Sequence, residues 1–177
     1  MTRPVLAVAA VAALALAACD NPKPRQVPAD PMALGPPPIA DGPPTEGLSA
    51  GLAKRPEFPG FYLDRIGAAA DPLNRQPAVT AAGAPVVFDG FGFDPVTRGP
   101  GKGVDVVVDG KAYSAVYGHK RQDVADFHKT PGLLDVGYTV TLPAGTLAPG
   151  AHSVVVRVIA TDGKSYFEGP PIGFQVK

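Results

Sequence analysis

The 177-residue chain has little of several residue types, and each scarcity excludes a class of protein. One cysteine cannot form an internal disulfide, a Cys-based zinc site or a CxxC redox pair. Lys and Arg total 16 and Asp and Glu total 16, so no cationic excess is available to bind nucleic acid or anionic lipid. Tryptophan is absent, which disfavours carbohydrate sites built on large aromatic platforms. The length accommodates one domain with tails.

An apolar run lies at the N-terminus of the chain, and it is too short to cross a bilayer as a helix. After a positive start, residues 5–18 contain only Val, Leu and Ala. A helix of this length spans about 21 Å, against a hydrocarbon core of roughly 30 Å. The run therefore predicts a signal peptide over residues 1–18 rather than a permanent membrane helix.

The four residues Leu16-Ala17-Ala18-Cys19 resemble the lipobox of bacterial lipoproteins. The resemblance implies cleavage before Cys19, diacylglycerol on its sulfur, and acyl chains such as palmitate that hold the protein on the membrane, facing the periplasm or the exterior. Each buried acyl CH₂ contributes about 0.8 kcal/mol, so two or more chains anchor the protein stably. Asp20 resembles an inner-membrane retention signal of enteric bacteria, and the choice between inner and outer membrane stays open. A secretory signal followed by a chance cysteine is the alternative.

Residues 19–60 predict a disordered linker. Eleven prolines lie between Asp20 and Gly60, and apolar residues recur at neither the strand nor the helix period. Such a segment buries too little surface to offset the entropy of ordering. We expect it to space a folded domain from the membrane, or alternatively to be a Pro-rich ligand for a partner.

Residues 61–177 predict an all-β domain. Short stretches with a two-residue apolar period are separated by Gly, Pro and the pairs Asp109-Gly110 and Asp162-Gly163, which are typical of hairpin turns. The predicted strands are 62–66, 86–93, 104–108, 112–117, 138–142, 154–159, 164–168 and 172–177. Seven to eight strands in a domain of this size indicate an immunoglobulin-like β-sandwich. One short helical crossover is predicted, with Asp123 as its cap and with Val124 and Phe127 facing the core.

Two resemblances agree with this fold. Residues 147–156, which contain Pro149, Gly150 and His152, resemble the corner before strand F of fibronectin-type-III sandwiches. In that corner a tyrosine hydroxyl bonds back to the turn, and here His152 stands in its place, where an imidazole N–H could make a similar bond. Residues 90–95, the Asp109-Gly110 hairpin and residues 117–124 resemble an immunoglobulin-like module appended to bacterial envelope proteins.

The loop from Tyr117 to Asp123 is the most polar and cationic cluster of the predicted sandwich. Its candidate binding residues are Tyr117, His119, Lys120, Arg121 and Asp123. An anionic or glycan group would bind here, with Tyr113 and Tyr117 as stacking faces. The alternative is a solvated crossover loop that Arg121 or Asp123 locks to the body of the domain.

Residues for catalysis or metal binding can be grouped only loosely. A His119–Asp123–His128 metal site can be drawn, but a loop followed by a helix cap explains the same residues. A calcium or carboxylate site can likewise be drawn from aspartates that strand edges and turns also explain, namely Asp89, Asp94, Asp105 and Asp109. The Gly-x-Ser-x-Gly nucleophile motif is missing. We therefore expect no cofactor, no metal and no enzymatic activity.

The sequence as a whole predicts a membrane-anchored envelope lipoprotein that presents a non-enzymatic binding or structural module. The alternative is a glycan- or peptidoglycan-binding module that uses the Tyr117–Asp123 loop, and a metal- or carboxylate-dependent envelope enzyme comes third. The expected partners are the membrane, through Cys19, and an envelope protein or glycan.

Overall fold

The computed structural model describes residues 45–177, and this part of the chain is mostly β, with two sheets and one α-helix. The strands are β1 (Thr45–Glu46), β2 (Ala53–Lys54), β3 (Gly60–Ile66), β4 (Ala69–Ala70), β5 (Ala78–Thr80), β6 (Val86–Asp94), β7 (Gly99–Pro100), β8 (Gly103–Val108), β9 (Lys111–Ser114), β10 (Val116–His119), β11 (Gly137–Leu142), β12 (Gly150–Ile159), β13 (Ser165–Glu168) and β14 (Ile172–Val176). The helix α1 is Gln122–Phe127, and a 3-10 helix follows at Pro131–Leu133. The predicted signal peptide, Cys19 and most of the predicted linker lie outside the described residues.

Sheet A contains the strands β1-β9-β8-β12-β13-β2 in that order. The long strand β12 pairs along one side with β8 and along the other with β14 and then β13. The short strand β5 adds to β14 in a parallel pairing, while β1 and β2 form the two ends of the sheet.

Sheet B contains β10-β11-β6-β3-β4, and β7 pairs with the end of β6. Its pairings are antiparallel. A β-bulge interrupts the pairing of β3 with β6 between Leu63 and Arg65, and another interrupts β10 between Tyr117 and His119. Both bulges lie beside the candidate loop, where they redirect side chains.

The core lies between the two sheets and follows the two-residue period of the sequence. Alternate residues of each central strand point inward because successive side chains of a strand face opposite sides. The inward residues are Val104, Val106 and Val108 of β8, Val154, Val156 and Val158 of β12, Val86 and Phe88 of β6, and Tyr138, Val140 and Leu142 of β11. The predicted all-β sandwich is therefore confirmed at the level of two packed sheets and one short helix.

The Asp109-Gly110 turn joins β8 to β9 as the sequence predicts. Asp109 has φ +49° and Gly110 has φ +84°, and Val108 pairs with Lys111 across the turn. Positive φ at both central residues is the requirement of a type I′ turn, and Asp-Gly meets it at low cost. This turn fixes Asp109 at one end of the sandwich.

The helical crossover and the burial of Val124 are confirmed, but the predicted cap and the predicted burial of Phe127 are wrong. Arg121, not Asp123, precedes the first helical residue, and the helix has no side-chain cap hydrogen bond. Val124 and Ala125 are buried, whereas 82% of Phe127 is exposed. Since residues advance about 100° each around a helix, Phe127 lies roughly 110° from the centre of a face set by Val124 and Ala125. Across residues 45–177, no helix has the length and apolar character needed to cross a bilayer.

The boundary predicted at residue 60 is also wrong, because the last part of the predicted linker belongs to the fold. Residues 45–54, here called the N-terminal strap, begin beside β9 at one edge of sheet A and end beside β13 near the other. Between these pairings, the Leu48 and Ser49 amides donate to the carboxylate of Asp105 at 2.9 and 2.7 Å. The strap contains no proline, which leaves its amides available for such bonds.

Candidate functional site

The Tyr117–Asp123 loop lies against the outer face of sheet B, the side away from the core. It leaves β10 at Gly118, whose φ of +102° accommodates the bulge, and it enters α1 directly. Below it are Phe91 of β6 and Gly137 of β11, which pair across the two strands. The loop, α1 and the 3-10 helix thus cover this end of the sheet, where Phe93, Val124, Leu133 and Val136 form a second apolar cluster.

Arg121 fastens the loop to the sheet. Only 5% of the residue is exposed, and its Nη1 donates to Asp64 Oδ2 at 2.6 Å. Its Nε and Nη2 donate to the two carboxylate oxygens of Asp123 at 2.9 and 2.6 Å. The guanidinium also lies 5.1 Å from the centre of the Phe91 ring. We call Arg121, Asp64 and Asp123 the Arg121 cluster.

The two carboxylates of this cluster have different environments. The hydrogen bonds from Arg121 hold the pKa of Asp123 below its ordinary value. Burial raises the pKa of Asp64, although Arg121 opposes the shift, and Asp64 Oδ1 is buried with no hydrogen-bond partner among residues 45–177. Because the pKa of Asp64 is raised and the pKa of Asp123 is lowered, Asp64 is the carboxylate of the cluster that protonates more readily.

Tyr117 ties the loop to the inside of the sandwich. Its hydroxyl donates to the carbonyl of Gly92 at 2.7 Å and accepts from the amide of Gly101 at 3.1 Å. Burial raises the pKa of this phenol to about 12. The ring packs against the core, which takes it out of the role of a stacking face for a ligand.

His119 and Lys120 complete the predicted binding residues. His119 is half-buried, and its Nε2 is buried with no hydrogen-bond partner in the part of the chain that the structure describes. Lys120 is exposed. Of the five predicted residues, Arg121 and Tyr117 form hydrogen bonds within the domain, and Asp123 is bonded to Arg121. His119 is half-buried, and the side chain of Lys120 faces solvent.

The residues drawn as metal sites are not brought together. Asp123 is bonded to Arg121, and His128 packs edge-on against Phe93 with ring centres 5.1 Å apart. Within residues 45–177 no three His, Cys, Asp or Glu side chains are grouped so that they could hold a metal ion. The absence of a metal from the working protein stays a prediction.

The four aspartates considered for calcium have four separate structural contacts. Asp89 accepts two hydrogen bonds from Arg65, and Asp94 accepts the amides of Val96, Thr97 and Thr161. Asp105 holds the N-terminal strap, and Asp109 bonds the amide of Ser153. Each of these carboxylates therefore stabilises a different turn or segment, and the four do not form a shared site.

The predicted corner lies at the start of β12. Gly150 has φ +143° directly after Pro149, and β12 runs on from there. His152 Nε2 lies 2.7 Å from the carbonyl oxygen of Ala148, four residues earlier, which is the backbone contact expected of a corner residue. Its Nδ1 lies 2.6 Å from Asp109 Oδ2, a contact that the sequence pattern did not indicate.

Sequence reasoning missed Asp64, Phe91 and Gly137 as parts of this site. Asp64 interrupts the apolar stretch of β3, and a charge in such a position is a signal that a buried partner exists. A Cβ on Gly137 would lie 2.9 Å from the Cβ and the carbonyl oxygen of His119 and 3.2 Å from Cγ of Arg121. The glycine therefore makes the space in which Arg121 lies.

Comparison with known proteins finds no matching protein family, no matching curated protein and no matching solved structure.

Proposed function

We propose that this protein is a cell-envelope lipoprotein, anchored to the membrane through Cys19, that presents an immunoglobulin-like sandwich as a non-enzymatic binding or structural module. The anchor is supported by residues 5–18, an apolar run of signal-peptide length, and by Leu-Ala-Ala-Cys at its end. The proline-rich residues that follow suit a spacer between membrane and domain.

The order of the strands supports the immunoglobulin-like assignment. In sheet B the strands β3, β6, β11 and β10 lie side by side in that order. Numbered along the chain they correspond to strands A, B, E and D, which lie side by side in the same order in an immunoglobulin sheet. In sheet A, β8, β9 and β12 have the neighbours of strands C, C′ and F, and β13 with β14 take the place of strand G. The Asp109-Gly110 turn corresponds to the C–C′ hairpin.

The non-enzymatic role rests on one observation, the internal use of Arg121. The side chain that would bind an anionic substrate is buried under a loop and bonded to two carboxylates, an arrangement that stabilises the scaffold. A binding role for the domain then falls to its exposed surface. The exposed side chains near the loop include Lys120 and Phe127.

The anchor is tested by replacing the cysteine. Cys19→Ala should abolish incorporation of labelled fatty acid and leave an uncleaved precursor, since only a thiol can form the thioether. Asp20→Ser is the matched control, because it changes the neighbouring residue and should keep the acyl label. A Cys19→Ala protein that is still acylated and processed at residue 19 would overturn the anchor.

The binding role is tested in intact cells. A photo-reactive amino acid placed at Lys120 or Phe127 of the full chain should cross-link to an envelope protein if this surface binds one. Position 162, in an exposed turn, is the control for random collision. Cross-linked glycan strands would instead assign the domain to peptidoglycan binding, and equal labelling at all three positions would count against a binding surface here.

A further inference from the structure

The corner at the start of β12 holds an imidazole between two hydrogen-bond acceptors. His152 Nδ1 lies 2.6 Å from Asp109 Oδ2, and Nε2 lies 2.7 Å from the carbonyl oxygen of Ala148. A carboxylate and a carbonyl can only accept, so both ring nitrogens must donate for both contacts to be favourable. A neutral imidazole has one N–H, and in either tautomer its other nitrogen would face an oxygen lone pair at this distance.

The doubly protonated ring satisfies both contacts at once. Its positive charge then lies beside the Asp109 carboxylate, whose other oxygen accepts the amide of Ser153 at 2.9 Å. The hydrogen bond with Asp109 raises the pKa of His152 above its ordinary value, and that with Ala148 adds to the shift. The geometry and the charge therefore favour the same protonation state.

The groups around the ring come from three parts of the fold. The turn between β8 and β9 supplies Asp109, the segment before β12 supplies the Ala148 carbonyl, and β14 supplies Phe174, whose ring stacks 5.4 Å from the imidazole. Within the described residues, Asp109 is the titratable side chain that bonds the imidazole. Loss of the second proton therefore leaves one of the two contacts without a donor and removes the positive charge beside Asp109.

We propose that His152, Asp109 and the Ala148 carbonyl form a pH-sensitive latch, which holds the β8–β9 turn against the start of β12 more strongly while the imidazole is doubly protonated. The latch lies at one end of sheet A. Two hydrogen bonds persist after the imidazole loses a proton and limit how far the turn moves: the Asp109 amide donates to the Ser153 carbonyl at 3.0 Å, and the Ser153 amide donates to Asp109 Oδ1 at 2.9 Å.

The direction of the pH effect follows from the two partners. The folded protein raises the pKa of His152, so the stabilisation is fully present below the ordinary imidazole value of 6.5 and is lost as the pH rises through the folded pKa. Burial opposes the shift, but the hydrogen bonds from His152 and Ser153 lower the pKa of Asp109. The contribution of Asp109 to stability is therefore lost as the pH falls through that lowered pKa. The latch is therefore strongest in mildly acidic solution and weakens towards alkaline pH.

The test is urea unfolding of the full-length protein from about pH 5 to about pH 9, at constant salt, for the native protein and three variants. The native protein should lose stability relative to His152→Gln as the pH rises, with the unfolding constants of the two converging. Asp109→Asn should flatten the same profile while keeping the turn, because Asn-Gly also forms type I′ turns. His128→Gln is the matched control, since His128 packs on sheet B, and it should keep the native pH profile.

A second measurement reads the proton directly. In the protein labelled with ¹⁵N-histidine, the ring of His152 should titrate with a midpoint above the ordinary imidazole pKa of 6.5, and Asp109→Asn should lower that midpoint. A titration midpoint of the folded His152 ring at or below 6.5, or parallel stability profiles for the native protein and His152→Gln, would overturn the latch. Loss of acylation at Cys19 would leave this result unaffected, since the latch does not depend on the anchor.

Discussion

Two segments outside the central strands cover the two sheets, and they are fastened in different ways. On sheet B the Tyr117–Asp123 loop is held by a side chain, because the guanidinium of Arg121 reaches into the sheet and bonds two carboxylates. On sheet A the N-terminal strap is held by its backbone, because the carboxylate of Asp105 accepts the Leu48 and Ser49 amides. A loop held by one side chain depends on that residue's identity, whereas a strap whose amides are held by one carboxylate depends on that acceptor.

The largest effect is expected when the side chain that fastens the loop is removed. Arg121→Met should lower the free energy of unfolding by about 3–5 kcal/mol, because it leaves the buried Asp64 without its cation. Urea unfolding measures the loss, and Lys120→Met is the control, which should stay within about 0.5 kcal/mol because Lys120 is exposed. Equal effects of the two substitutions would show that the loop is not fastened by Arg121.

A smaller effect is expected when the space below Arg121 is filled. Gly137→Ala adds a Cβ that would meet His119 at 2.9 Å and Arg121 at 3.2 Å, and overpacking of this kind costs about 1–3 kcal/mol. Gly132→Ala is the control, since a Cβ there meets no atom within 4 Å. Thermal unfolding of both variants would settle the matter, and an unchanged Gly137→Ala protein would mean that the Arg121 side chain can lie elsewhere.

The smallest global effect is expected when the acceptor of the strap is changed. Asp105→Asn keeps one acceptor oxygen but turns an amide NH₂ towards the other strap amide, so stability should fall by about 1 kcal/mol. Amide hydrogen exchange should show the difference where global unfolding barely does, with faster exchange at Leu48 and Ser49 and unchanged exchange in β12. Glu46→Gln, on the exposed β1, should leave those two amides protected. Uniformly faster exchange through the whole domain would contradict the local role of Asp105.

The comparison also shows which parts of the fold a sequence can predict. The valines of β8 and β12 alternate with a two-residue period, and Asp109-Gly110 fits the type I′ turn between β8 and β9. Local residues alone therefore predict both strands and the β8–β9 hairpin. The strap is not apparent when the proline content is taken over the whole of residues 19–60, although prolines are absent between Pro44 and Pro56. That gap was the available signal.

The site was less predictable than the fold because its contacts join distant residues. Arg121 and Asp64 are 57 positions apart in the chain, and no local pattern pairs them. Phe127 was predicted to face the core from its spacing to Val124, but burial of Ala125 turns the face of this short helix away from it. The alternative that Arg121 locks the loop to the domain is the interpretation that agrees with these contacts.

The N-terminal strap has a mechanical consequence for a protein anchored as proposed. Tension applied from the membrane enters the domain at Thr45, where β1 pairs with β9 over only two residues. Such a ladder at a sheet edge yields residue by residue, so the strap gives way before the two sheets separate. The release of residues 45–54 would add about 33–36 Å of reach at roughly 3.3–3.6 Å per residue, which makes the strap an extensible link between anchor and domain.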